Sequence, residues 1–188
     1  CRAPMSPLQE PLVYLPDCDK VEIRASDRPR ILSVCFEPTN LCPGRCPYCL
    51  IENHSVDEST VVLAKVLDRL LDHGTLRFGF GGGEPLLRAD IYELGVRVRR
   101  HGAGSLLRTS GMFPIPANRA IEAFDWIDVS FDSVDPEVFR RCRPGVPHNV
   151  LIQNIESLAG SEARLRVSIL LTTTNMGTLD DTLRWLAT

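Results

Sequence analysis

The sequence predicts an α/β fold, a partial (β/α) barrel of about five strand–helix units. Two observations carry this. Strand-like and helix-like segments alternate strictly along residues 31–188, which implies parallel strands joined by helical crossovers. The segment Trp126 to Asp132 puts Asp128, Ser130 and Asp132 on one face and Ile127, Val129 and Phe131 on the other. A strand in a doubly wound sheet is apolar on both faces. A barrel strand with helices outside turns its apolar face to them and its polar face to the lumen. Leu165 to Leu171 repeats the pattern more weakly, with Arg166 and Ser168 against Leu165, Val167, Ile169 and Leu171. A complete eight-unit barrel needs about 250 residues, so 188 residues predict an incomplete one.

The elements follow in order. Residues 1–30 carry Pro4, Pro7, Pro11, Pro16 and Pro29 with little periodicity, and read as an irregular lead-in with one short strand near Val21 to Arg24. Ile31 to Phe36 reads as a strand. Glu58 to Asp72 is helical, its broad apolar face formed by Val61, Val62, Leu63, Val66, Leu67, Leu70 and Leu71, and Gly74 stops it. Leu76 to Phe80 is a strand and Asp90 to Arg100 a helix. Ser105 to Thr109 is a strand, and Pro116 to Ala123 a short helix. After the fourth strand come a helix over Asn149 to Leu158, the fifth strand, and a helix over Leu179 to Ala187.

Composition narrows the function. Hydrophobic residues make up 44% and charged residues 24%, ordinary for a globular protein, and the net charge is -3. That argues against a dedicated nucleic-acid surface, which needs clustered Lys and Arg. No apolar run approaches the roughly 18 residues of a membrane span, and no secretory leader is visible. The chain begins at Cys1 rather than Met. Its cysteines do not form the framework of a small secreted domain. The expectation is cytoplasmic metal or redox chemistry.

Three of the cysteines sit in CPGRCPYC, Cys42 to Cys49, spaced C-x3-C-x2-C on the loop after the first strand. In barrels that loop lies at the carboxyl end of the strands, where active sites collect. Pro43, Gly44 and Pro47 impose a tight, non-helical path on which the sulfurs converge. Thiolates suit zinc or iron–sulfur clusters. A four-iron cluster normally takes four cysteines; with three, one iron stays open to a substrate or cofactor. Two plainer readings stand beside this. His54 could complete a Cys3His zinc site, and Cys46 with Cys49 form a C-x-x-C that could be a redox pair. Cys1, Cys18, Cys35 and Cys142 are scattered and read as free thiols.

EPTNLCPGRCPYCL resembles the cluster loop of the radical S-adenosylmethionine (radical SAM) enzymes, including the aromatic residue, Tyr48, before the last cysteine. GGGEP at Gly81 to Pro85 resembles the family's Gly-Gly-Glu-Pro motif. LLRTSG at Leu106 to Gly111 resembles its third-strand segment, with Ser110 where Asn is common. DVSFDS at Asp128 to Ser133 resembles the fourth-strand motif, RPGVPHNVLIQNIESL from Arg143 the segment after it, and Asn175 the Asn that follows strand five. The resemblance spans residues 31–188, as one radical SAM core domain.

The resemblance implies a 4Fe–4S cluster on Cys42, Cys46 and Cys49. S-adenosylmethionine would chelate the open iron, and an electron from an external reductant would release a 5′-deoxyadenosyl radical that abstracts hydrogen from substrate. It implies further that Gly82 and Gly83 let backbone approach the cofactor, and that Glu84 accepts from the methionine ammonium. Ser130 and Asp132 would bind the ribose hydroxyls or the methionine carboxylate. Arg143 would pair with that carboxylate, Tyr48 would lie beside the adenine, and Asn175 would line the adenine side. The closest likeness is to the group of peptide-maturing enzymes and the molybdopterin-precursor cyclase, so the substrate is expected to be a peptide or a small molecule. The family's core has six units. About five are expected here, completed by a missing segment or a partner chain. A non-catalytic zinc or iron–sulfur module is the reading from a different class.

Overall fold

The computed structural model describes residues 31–51 and 57–188. The strand expected near Val21 to Arg24 and the candidate ligand His54 lie outside the described residues. Five strands form one parallel sheet in the order β1-β2-β3-β4-β5: Ser33–Thr39, Arg77–Gly82, Gly104–Thr109, Trp126–Ser130 and Leu165–Ser168. Sequential order with every pair parallel is the partial-barrel arrangement expected from the alternation. Helices α1 (Thr60–Asp72), α2 (Ile91–Arg100), α3 (Ala117–Ala123), α4 (Pro136–Cys142), α5 (His148–Ala159) and α6 (Leu179–Leu186) fill the crossovers and the carboxyl end.

The core lies between the helices and one face of the sheet. Phe36, Phe78, Phe80, Leu107, Ile127 and Val129 are buried against Leu63 and Leu67 of α1, Ile91, Leu94 and Val98 of α2, and Leu151, Ile155 and Leu158 of α5. Phe80 meets Phe36 and Phe124 edge-on, each with ring centroids 5.4 Å apart. Ring edges meeting ring faces add to the area term. Among the described residues no helix packs on the other face. Cys35, Gly79, Arg108, Asp128 and Arg166 alternate with the core residues and lie along it. The division within β4 is the one the sequence predicts.

Two differences from expectation have local causes. The sequence reading has no helix over Pro136–Cys142. Asp135 caps it, accepting from the backbone N–H of Glu137 and Val138, and Pro136 occupies its first turn. At seven residues it is too short for periodicity to reveal. The fifth strand ends at Ser168 rather than Leu171, because Leu170 N–H turns away to donate to Asp132 at 2.9 Å.

Candidate functional site

The loop carrying the cysteines leaves β1 at its carboxyl end, and its path is fixed from two sides. On one side lies the glycine turn after β2. Gly83 N–H donates to Thr39 C=O at 2.9 Å, and Glu84 N–H to Leu41 C=O at 2.8 Å. Gly82 has φ +92°, and a Cβ on Gly83 would collide with the Leu41 carbonyl. Both positions therefore require glycine. Gly83 makes room for Asn40 and Leu41 at the start of the cysteine loop and Gly82 for Glu37 and Thr39 of β1, whereas Gly81 faces open space. On the other side lies the segment after α4, where Arg45 N–H donates to Pro144 C=O at 2.8 Å.

Glu84 is fully buried. One carboxylate oxygen accepts from Leu86 N–H at 3.1 Å and Thr109 Oγ1–H at 2.6 Å. The other accepts from Ser110 N–H at 2.9 Å and Ser110 Oγ–H at 2.5 Å. A carboxylate offers about four lone-pair sites, and these donors fill them. Glu84 ties the mouth of β2 to the end of β3. An ammonium arriving there would have to displace one of these donors.

Asp132 is the second anchor. Its carboxylate accepts from Tyr48 Oη–H at 2.5 Å, Arg143 Nε–H at 2.8 Å and Leu170 N–H at 2.9 Å. The Arg143 guanidinium also lies over the Tyr48 ring, 5.6 Å from its centroid. The Asp132 side chain is fully buried and that of Arg143 only 11% exposed. Burial, then the bond to Asp132, pushes the Tyr48 hydroxyl far above its ordinary value, so it stays a donor. Asn175 closes the arrangement. Its amide donates to the carbonyls of Asp132 and Leu170 at 2.9 and 3.0 Å, and its oxygen accepts from Thr172 N–H and Oγ1–H.

The structure thus brings together Tyr48, Asp132, Arg143 and Asn175, and separately Gly82, Gly83 and Glu84 beside the same loop. The side chains of Glu84, Asp132 and Asn175 bond to protein groups, and Arg143 is held on Asp132. Ser130, half-buried at the end of β4, sits in register with Ser168. Thr109 and Ser110 bind Glu84, a partnership that the motif LLRTSG does not show.

Cys42 and Cys46 are half-buried and Cys49 is exposed. Burial pushes the Cys42 thiol up, opposed by the Gly44 backbone N–H. Burial also pushes Cys46 up, opposed by the Arg143 guanidinium, which favours its thiolate. Each of these two thiols feels the charge of Cys49. Among the described residues no three His, Cys, Asp or Glu side chains are gathered closely enough to hold one metal ion. A single zinc draws its sulfurs in to about 2.3 Å from one centre. The donor set is three soft thiols on one docked loop, which fits thiolate ligation of an iron–sulfur cluster.

A family model described as the Radical SAM superfamily matches residues 36–186. The chain belongs to the radical SAM superfamily. It is similar to the PqqA peptide cyclase of Gluconobacter oxydans, 34% identical over 110 residues, covering 55% of this chain and 31% of that one. The PqqA peptide cyclase of Xanthomonas axonopodis pv. citri is likewise 34% identical over 115 residues, covering 57% and 31%. The chain therefore spans about a third of the length of these curated relatives. Among solved structures, Streptococcus suis SuiB bound to its precursor peptide SuiA superposes with a TM-score of 0.70 at 16% identity, over 84% of this chain and 38% of that one. Native anSMEcpe with bound AdoMet and the Cp18Cys peptide superposes with a TM-score of 0.69 at 20% identity, over 85% and 48%. These likenesses establish the fold.

Proposed function

We propose that this chain is the core of a radical SAM enzyme that modifies a peptide. The observation that carries the reading is the three-thiol loop, docked at the carboxyl end of a parallel sheet by the buried Tyr48–Asp132–Arg143 constellation. Cys42, Cys46 and Cys49 would hold the 4Fe–4S cluster. When bound, the cluster and S-adenosylmethionine supply an electron and a 5′-deoxyadenosyl radical for hydrogen abstraction.

The chain's own residues prepare the place. Asp132 fixes Tyr48 within the cysteine loop and so fixes the spacing of Cys46 and Cys49 on either side of it. Arg143 sets a positive charge beside Cys46, which favours the thiolate that metals require. Gly81 leaves open space beside the loop, and Ser130 offers a hydroxyl at the end of β4; these are the positions for S-adenosylmethionine. Glu84, Asp132, Arg143 and Asn175 hold the walls of that space in shape. Their proposed contribution to cofactor binding is geometric, because their polar atoms bond within the protein. The peptide preference rests on the names of the relatives, which are PqqA peptide cyclases. The reaction takes place in the cytoplasm with an external one-electron reductant.

The test uses anaerobically reconstituted protein, reduced with dithionite and supplied with S-adenosylmethionine, with 5′-deoxyadenosine quantified by mass spectrometry. The wild-type chain forms the product and Cys46→Ala does not. Iron uptake without product in either protein contradicts the enzymatic reading for this chain, and zinc uptake without iron contradicts the cluster.

A further inference from the structure

The helix-free face of the sheet carries a second chemical feature, away from the cysteines. A cavity of about 990 Å³ opens from the strand starts along it, lined by Arg77, Arg108, Arg164 and Arg166, with Arg99 of α2 and Ile121 of α3 from the helix side. The carboxylates lining it are fewer. Asp125 is paired with Arg99 at 3.1 Å, which leaves Asp128 and Glu162. Arg166 Nη2 reaches Asp128 at 2.5 Å and Arg108 Nε lies 3.9 Å from the same oxygen, so two guanidinium groups share one carboxylate. Ser168 Oγ–H takes its other oxygen at 2.6 Å. The side chains of Arg108 and Arg166 remain 49% and 48% exposed, and both residues line the cavity. Arg108 stretches over Gly79 toward Cys35, whose sulfur is 3.9 Å from Nη1.

Arg77 supplies the independent observation. Its stem runs beside Gly104 on this same face. Its Nη2 is buried, with no hydrogen-bond partner among the described residues. A buried guanidinium donor without an acceptor is costly, and a ligand oxygen is one group that can complete it. Arg77, Arg108 and Arg166 outnumber Asp128 and Glu162 here, with planar forks suited to two oxygens at once and a buried donor without an acceptor among the described residues.

We propose that this inner wall binds a carboxylate of the substrate, held by Arg77, Arg108 and Arg166. The proposal rests on the peptide reading above, since the anionic groups of an unmodified peptide are carboxylates. An acidic side chain is the expected source, because the arginines run from Arg77 at the start of β2 to Arg108 near the end of β3, a span that suits the interior of an extended chain.

The test is a binding measurement on the full 188-residue chain. Three acetylated probes are used. Gly-Gly-Glu-Gly-Gly and Gly-Gly-Gln-Gly-Gly carry amidated ends, and a second Gln peptide keeps its free terminal carboxylate. Affinity is read by calorimetry, and the arginine Nε–H signals by NMR on nitrogen-15-labelled protein. The Glu peptide binds about tenfold more tightly than its amidated Gln counterpart, the effect of one charge-assisted contact, and shifts the signals of Arg77, Arg108 and Arg166. Arg108→Gln and Arg77→Gln, each checked for an unchanged thermal melt, remove the preference. Arg108 is half-exposed, so its variant keeps the test valid if Arg77→Gln fails to fold. Preference for the free-terminus peptide supports the site and assigns the carboxylate to a chain end. Equal binding of all three probes, or unmoved arginine signals, overturns the proposal. The binding readout needs no 5′-deoxyadenosine, so its failure is separable from failure of radical chemistry.

Discussion

The carboxyl end and the inner wall of this sheet use charge in opposite ways. At the carboxyl end, Glu84 and Asp132 are fully buried, and each bonds to several donors of the protein itself. Along the inner wall, Arg108 and Arg166 are half-exposed and share one carboxylate, while Arg77 keeps a buried donor unmet among the described residues. A saturated buried network holds a shape, whereas an unsaturated charged wall is built to receive a ligand. The loop that needs exact placement of its thiols is tied to the first kind of chemistry, and the open lumen is lined with the second.

Substitutions in the two regions should therefore differ in stability, and urea unfolding measures it. The largest effect is expected from Asp132→Ala, which strands the buried Arg143 guanidinium and frees Tyr48. Breaking a buried pair on one side costs about 3–5 kcal/mol. A cost under about 1 kcal/mol would remove Asp132 as the anchor. Tyr48→Phe deletes one hydrogen bond to a charged acceptor, for about 1.5–3 kcal/mol. It should also slow cluster reconstitution, followed by iron content over time, without removing a ligand. Arg166→Gln on the inner wall should cost about 1 kcal/mol or less, because the Arg166 guanidinium is half-exposed to water and Arg108 and Ser168 still hold the buried Asp128. A cost near that of Asp132→Ala would make the wall structural rather than receptive. Arg140→Ala, on an exposed i,i+3 pair with Glu137, should change stability by about 0.5 kcal/mol or less.

The sequence carries the strands and most of the helices because their apolar residues recur at periods of two or 3.6. The face of β4 is equally legible: Asp128 and Ile127 separate as alternation requires. The short α4 has no room for a period, yet Asp135-Pro136 announces it through capping chemistry alone. The three cysteines stand out by spacing. What spacing does not reveal is partnership. Tyr48 and Asp132 lie 84 residues apart, and only folding of the sheet joins them. Asp132, Arg143, Glu84 and Asn175 are recognisable as site residues by resemblance, which says nothing of whether their side chains turn to a cofactor or to one another. The inner wall was harder still. Arg166 is visible as a polar residue on a strand, but Arg77 and Arg108 sit in strands whose neighbours are glycines and leucines. Nothing local marks them as facing a common cavity.

In the proposed function, Cys42, Cys46 and Cys49 hold a cluster with one open iron. The most direct measurement is electron paramagnetic resonance on the reconstituted, dithionite-reduced chain, recorded with and without S-adenosylmethionine and set beside its iron content. The expected result is about four irons per chain and a reduced-cluster signal whose g values shift when S-adenosylmethionine is added. A signal that S-adenosylmethionine leaves unchanged, or a protein that takes up zinc in place of iron, would contradict it.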